Sequence, residues 1–210
     1  MRIIDISQPV GPGIAVWPGD QPFELEWTLR QDRGDSVNVA ALRLSAHTGT
    51  HTDGGFHVMQ DGNRPFDMDL SAYMGGVTVV DARGIPLDER AIDDVDLKRA
   101  RRILFRTRDE IDELVFPAHF HAPTPGLAKQ LVAAGVRLIG SDTPSMDDAE
   151  SKTLDSHRIL ARGRVATLEN LDLTNAPPGE YTLIALPLKL READSSPVRA
   201  VLIEGSIEEL

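Results

Sequence analysis

"TPGLAKQLVAAGVRLIGSD", residues 124–142, sets the fold class of this chain. Thr124 can cap a helix through its hydroxyl, and Pro125 suits the first helical position, where no amide hydrogen is needed. Gly135 suits the close of that helix, so the spacing predicts a helix over 124–135 followed by a strand over 136–142. A helix feeding directly into a strand is part of a βαβ-like unit. Upstream, "GVTVVDA" (76–82) and "RILFRT" (102–107) read as strands. Downstream come a helix around "SKTLDSHRILA" and three strand-like runs, "VATLENL", "YTLIALPLKL" and "VRAVLIEG". The first third reads as strands and loops: "RIIDIS" and "FELEWTLR" flank the turn-rich "QPVGPGIAVWPGDQP". In "VNVAALRLSA", Leu42, Leu44 and Ala46 alternate with Arg43, Ser45 and His47, a period of two that predicts a strand running into His47. Strand-rich ends around βαβ-like units make a mixed α/β fold.

At 210 residues, with 41% hydrophobic and 26% charged, the chain has the balance of a globular protein and the length of one substantial domain, 1–210. No repeat, low-complexity segment or composition shift marks a linker. No apolar run is long enough to cross a bilayer, and "MRIIDISQPV" lacks the apolar stretch of a signal peptide, so the expectation is a cytoplasmic protein with no membrane partner. A net charge of −11 speaks against nucleic acid, because phosphate binding needs a positive face; "LKRARRILFR" at 97–106 is the one basic cluster and reads as a helix end and the start of a strand. Cysteine is absent, which excludes disulfides, thiol nucleophiles and thiolate metal sites. Any metal must sit on nitrogen and oxygen.

Those atoms are concentrated in "LSAHTGTHTDGGFHV", residues 44–58, which holds His47, His51, Asp53 and His57, three of the six histidines of the chain. The "TGT" between His47 and His51 disfavours a helix. A locally extended path would project His47, His51 and Asp53 to one side, and Gly54-Gly55 would then allow a bend that packs Phe56 inward and returns His57 to the cluster. Two imidazoles and a carboxylate suit zinc or a similar divalent ion, with room left for water. Further ligands could come from His157 and Glu169, or from His119 and His121; the residues alone do not separate these pairs.

The motif "HTGTHTD" with a following His resembles the signature of the metal-dependent cyclase family. "WPGD" at 17–20, "SDTPSMDDAESKTLDSH" at 141–157, "LEN" at 168–170, and "IALPLKL" followed by "SPVRAVL" extend the likeness over nearly the whole chain, which resembles the bacterial metal-dependent kynurenine formamidases. The resemblance implies a swivelling β/β/α fold with a mixed β-sheet core, a homodimer, and two zinc ions per subunit, with manganese or cobalt as alternatives. It implies that His47 and His51 bind the first ion, His157 the second, and Asp53 and Glu169 both. His57 would be the proton donor and acceptor, and Trp17 would contact the aromatic ring of a small formamide. It prefers His157 and Glu169 to His119 and His121. Asp142 and Asp155 are conceivable orienting partners for ligating histidines, against plainer roles as a turn cap and a solvated helix residue.

The activity so implied is hydrolysis of N-formyl-L-kynurenine to L-kynurenine and formate, a step of tryptophan degradation, with water activated at a dinuclear site. An alternative with the same site is a lactam hydrolase for isatin-like rings, with manganese as a candidate ion. One departure stands out. Family members commonly carry a proline between the Asp and the last His, where this chain has Gly54-Gly55; loss of the ring's rigidity predicts a less firmly placed His57.

Overall fold

The computed structural model describes residues 2–205. Its strands are β1 (Arg2–Asp5), β2 (Glu24–Leu29), β3 (Val39–Arg43), β4 (His51–Asp53), β5 (Met74–Asp81), β6 (Arg102–Arg106), β7 (Leu138–Ser141), β8 (Ala166–Leu168), β9 (Gly179–Ile184), β10 (Ser195–Pro197) and β11 (Val201–Glu204). Two α-helices accompany them, α1 (Pro125–Ala133) and α2 (Asp155–Arg162). A seven-stranded mixed sheet runs in the order β1-β11-β9-β5-β6-β7-β8. The half from β5 to β8 is parallel, and the half from β5 through β9 and β11 to β1 is antiparallel. Two small ribbons, β4 with β10 and β2 with β3, stand outside it.

The period of two along β6 shows why the sheet has a core on each face. Ile103 and Phe105 point into the layer holding Leu127, Leu131 and Leu160 of the helices, while Leu104 points into the layer of Ile4, Ile6, Leu171 and Leu202. All three β6 side chains are fully buried, as expected of a strand covered on both faces. Arg102, at the head of β6, is buried too, and its guanidinium donates to the backbone carbonyls of Ser71, Ala72 and Gly76. The basic cluster is therefore partly internal, and its first half, Leu97–Ala100, forms turns rather than a helix end.

Helix α1 starts where the caps place it. Thr124 Oγ1 accepts the Leu127 N–H at 3.2 Å, with Pro125 at the first position. Helix α2 begins later than the sequence suggests: Ser151–Leu154 stay outside it, and Leu154 sits in the left-handed region (φ 50°), which costs a non-glycine residue about 1–2 kcal/mol. The strand expected to run into His47 ends at Arg43. Its alternation does not bury a face either, because every residue of β2 and β3 is exposed.

Candidate metal centre

The site lies where the chain leaves the C-terminal ends of the parallel strands, the usual ligand position of such sheets. Strand β8 ends at Leu168, and the next residue, Glu169, pairs with His51 of β4 through two backbone hydrogen bonds of 3.2 and 3.0 Å. That bridge brings the β4–β10 ribbon against the sheet edge. Because β4 is extended, His51 and Asp53 share one face while Thr52 turns away to meet the Tyr73 hydroxyl at 2.9 Å. His47 comes from the preceding turn, which Gly49 closes at φ 63°. His157 comes from the first turn of α2.

All six residues singled out around the metal motif converge. His47 Nδ1 lies 3.1 Å from Asp53 Oδ1, and His51 Nε2 lies 3.7 Å from the same oxygen and 3.2 Å from Glu169 Oε2. His157 Nε2 is 3.4 Å from Asp53 Oδ2 and 3.1 Å from Glu169 Oε1. The His57 ring centre is 4.6 Å from that of His47. The chain thus returns His57 to the cluster as its bend predicts, but Phe56 stays half-buried beneath the Arg64 guanidinium instead of entering the core.

Hydrogen bonding decides what these atoms can hold. His51 carries its proton on Nδ1, which donates to the Gly49 carbonyl at 2.8 Å, so the lone pair of Nε2 faces the carboxylates. That nitrogen and both carboxylate oxygens of Asp53 are buried without a hydrogen-bond partner. Lone pairs so arranged repel one another unless a cation lies among them. Ligand atoms around one ion with bonds of ~2.0–2.2 Å fall roughly 3–3.5 Å apart, the spacing seen here. The donor set fits a divalent metal ion, and it is the nitrogen–oxygen set that a chain without cysteine can offer.

In the metal-free protein, protons do part of this work. Burial pushes the His47 imidazole down, but the Asp194 and Asp53 carboxylates on its two ring nitrogens prevail and raise its pKa to about 10. His157 is likewise raised well above the ordinary range, against burial, by Asp147, Asp53 and Glu169. Burial alone would raise Asp53; the neighbouring His157 and His47 rings hold it well below the usual carboxylate range instead.

Two carboxylates escaped the sequence reading. Asp147 Oδ2 takes the Nδ1–H of His157 at 2.6 Å, while its two oxygens also take the backbone N–H groups of Ser156 and His157, tying the helix start to the ring. Asp194 Oδ2 lies 3.0 Å from His47 Nε2 and 3.1 Å from His57 Nδ1. The two candidates weighed in sequence do neither. Asp142 accepts from Thr107 and Arg108 at the end of β6, and Asp155 faces solvent with a bond from Thr153. Position gave the only signal: Asp147 follows the "SDTPSM" run and Asp194 directly precedes "SSPV". His119 and His121 are exposed and join no metal-binding group among the described residues.

The His57 loop, where family members commonly carry a proline, is tied by backbone hydrogen bonds. Gly54 N–H donates to the Asp194 carbonyl (2.8 Å), Gly55 N–H to Asn63 Oδ1 (3.0 Å) and Phe56 N–H to the Asn63 carbonyl (3.1 Å). A Cβ on Gly54 would meet the Asn63 carbonyl at 2.5 Å, and one on Gly62 would meet the Gly55 carbon at 2.0 Å. The backbone approaches so closely at Gly54 and Gly62 that a side chain there would clash, and the same segment is hydrogen-bonded to Asn63 and Asp194.

A cavity of about 590 Å³ opens onto His47, His51 and His57, and Trp17 and Phe116 form an aromatic wall in it, with ring centres 5.4 Å apart and edge to face. A second cavity of about 580 Å³ reaches Asp53 and His157 from the side of Tyr73.

Comparison with known proteins accords with this architecture. Residues 4–148 match the model of the cyclase family, described as "Putative cyclase". The kynurenine formamidase of Salinibacter ruber is 43% identical over 211 residues, covering 96% of this chain and 97% of that protein. The chain belongs to the cyclase family. Among solved structures, isatin hydrolase A from Labrenzia aggregata superposes with a TM-score of 0.81 at 25% identity, over 97% of this chain and 94% of that one. A potential metal-dependent hydrolase with cyclase activity superposes with a TM-score of 0.82 at 23% identity, covering 96% of each chain, so the two share a fold.

Proposed function

We infer that this chain is an arylformamidase that hydrolyses N-formyl-L-kynurenine to L-kynurenine and formate. The observation that carries the reading is the group of unpartnered buried donor atoms on His51 and Asp53, set beside His57 in an aromatic-walled cavity. The full-length likeness to a kynurenine formamidase supports the substrate.

His47, His51, Asp53, His157 and Glu169 would hold the metal. Asp53 faces His47 and His51 with Oδ1 and His157 with Oδ2, which supports two ions, for which we propose zinc. Divalent ions in such a site generate a nucleophile from water at neutral pH and polarise the formyl oxygen. The chain's own residues do the rest. Trp17 offers a flat face to the substrate's aromatic ring. As water attacks the formyl carbon, His57 takes a proton from it. The anilide nitrogen leaves poorly as an anion, so His57 returns the proton to that nitrogen as the C–N bond breaks, releasing kynurenine and formate. Such general acid–base catalysis is worth ~10²–10⁴-fold.

The rest of the reading is a single domain working in the cytoplasm as a homodimer. Among the described residues no helix is long and apolar enough to cross a membrane. On the hairpin of β2 and β3, Leu25, Trp27, Leu29 and Leu42 form an uncovered apolar face, the surface we assign to the second subunit.

The test is formate release from N-formylkynurenine by the zinc-loaded protein, with His57→Ala alongside and isatin as a second substrate. We expect release by the native chain and a loss of ~10²-fold or more in the variant at equal zinc content. Isatin opening without formate release would move the chain to the lactam-hydrolase reading that its structural likeness to isatin hydrolase A supports.

A further inference from the structure

We propose that Asp194 is a positioning residue that sets the ring orientation and proton placement of both His47 and His57. This rests on the reading of His57 as the acid–base group. A single carboxylate oxygen, Oδ2, receives both contacts: His47 Nε2 at 3.0 Å and His57 Nδ1 at 3.1 Å. A carboxylate can only accept, so each ring must present an N–H to it. For His47 that places the proton on Nε2 and turns Nδ1 toward Asp53, where a metal ion would need its lone pair. For His57 it places the proton on Nδ1 and leaves Nε2 free to take one from water. The unaided imidazole has no such constraint, and either nitrogen can carry its proton.

The fold holds Asp194 to this task from three sides. Strand β10 pairs with β4 so that Ser195 lies opposite Asp53, which brings Asp194 alongside the metal cluster. The Ser195 hydroxyl reaches the Thr52 carbonyl at 2.8 Å and the Ala46 carbonyl at 3.2 Å, joining the ribbon to the turn that carries His47. The Asp194 carbonyl accepts the Gly54 N–H at 2.8 Å, and a Cβ on Gly54 would approach that same oxygen to 2.9 Å. The glycine that replaces a side chain in the His57 loop is therefore what lets the loop and Asp194 lie this close. Metal binding at His47 and proton transfer at His57 are coupled through one atom.

The experiment uses the full-length zinc-loaded protein, with Asp194→Ala and Asp194→Asn. Nitrogen-15 spectra of the histidine rings report which nitrogen is protonated, independently of any substrate. We expect His57 to carry its proton on Nδ1 in the native protein and to lose that preference in Asp194→Ala. The alanine variant should fill with zinc at saturation and lose ~10–100-fold in kcat with KM little changed. Asparagine keeps an acceptor oxygen and should recover part of the rate. A native His57 protonated on Nε2 would overturn the proposal, as would an alanine variant with native spectrum and kcat. Failure of that variant to reach native zinc content at saturation would make Asp194 a ligand and overturn it equally. If the native protein releases no formate, the proposed activity fails while the spectra still decide the role of Asp194.

Discussion

His47 has a carboxylate on each ring nitrogen, and this gives it two incompatible uses. In the metal-free protein it is an imidazolium held by Asp53 and Asp194, with its pKa raised to about 10 from an ordinary 6.5. A raised pKa means that the folded state binds the proton more tightly than the unfolded one. The stability it contributes is complete below pH 6.5 and is lost as the pH climbs toward about 10. A metal ion needs the neutral ring and so must displace that proton. Thermal unfolding of the metal-free chain should therefore show a midpoint that falls between pH 6.5 and 10, with the slope reduced in His47→Gln. Zinc titration at neutral pH should release protons, seen as a calorimetric heat that depends on the buffer's own ionisation enthalpy. A midpoint flat across that range, with no proton release, would rule this account out.

At the scale of elements, α1 is the part the sequence states most directly. Thr124, Pro125 and Gly135 act locally, through one side-chain acceptor, a fixed φ and a left-handed turn (φ 74° at Gly135), so no distant partner is needed to read them. Thr124→Ala should lower unfolding stability by ~0.5–2 kcal/mol in denaturant titration and leave kcat unchanged, since Thr124 lines neither cavity. Strands β5 to β7 were legible for a similar reason: the apolar runs of β6 and β7 are buried on both faces, and in β5 buried Val77 and Val79 alternate with half-buried Thr78 and Val80. The three-residue strands β4 and β10 were not legible as a pair, because each is defined by the other across more than 140 residues. The same limit governs the site. The histidine motif sits within eleven positions and announces itself, whereas Asp147 and Asp194 are two among 33 acidic residues, distinguished only by the rings that the fold sets beside them. The alternation before His47 misled for a physical reason as well. It marks a ribbon with one apolar face, and among the described residues that face stays exposed.

For the molecule as a whole, that ribbon is the feature at odds with a solitary subunit. Two-stranded hairpins are marginal in water on their own. Here Leu25 lies opposite Leu42 and Trp27 opposite Ala40, while Glu24 and Arg43 pair on the other face, 3.8 Å apart. Light scattering after size exclusion should give twice the chain mass, and Leu25→Asp combined with Trp27→Asp should reduce it to the single mass. A native monomer would refute the dimer. The sheet's connectivity has a further consequence, for the order in which the protein is made. The N-terminal strand β1 finds its partner only in β11, and Asp53 meets Asp194 and Ser195 only when β10 exists. A chain emerging from the ribosome thus exposes His47, His51 and Asp53 long before His157, Glu169 and Asp194 have been synthesised. The full cluster can therefore close only after β10 has been made, so its assembly is a late event in the folding of the chain.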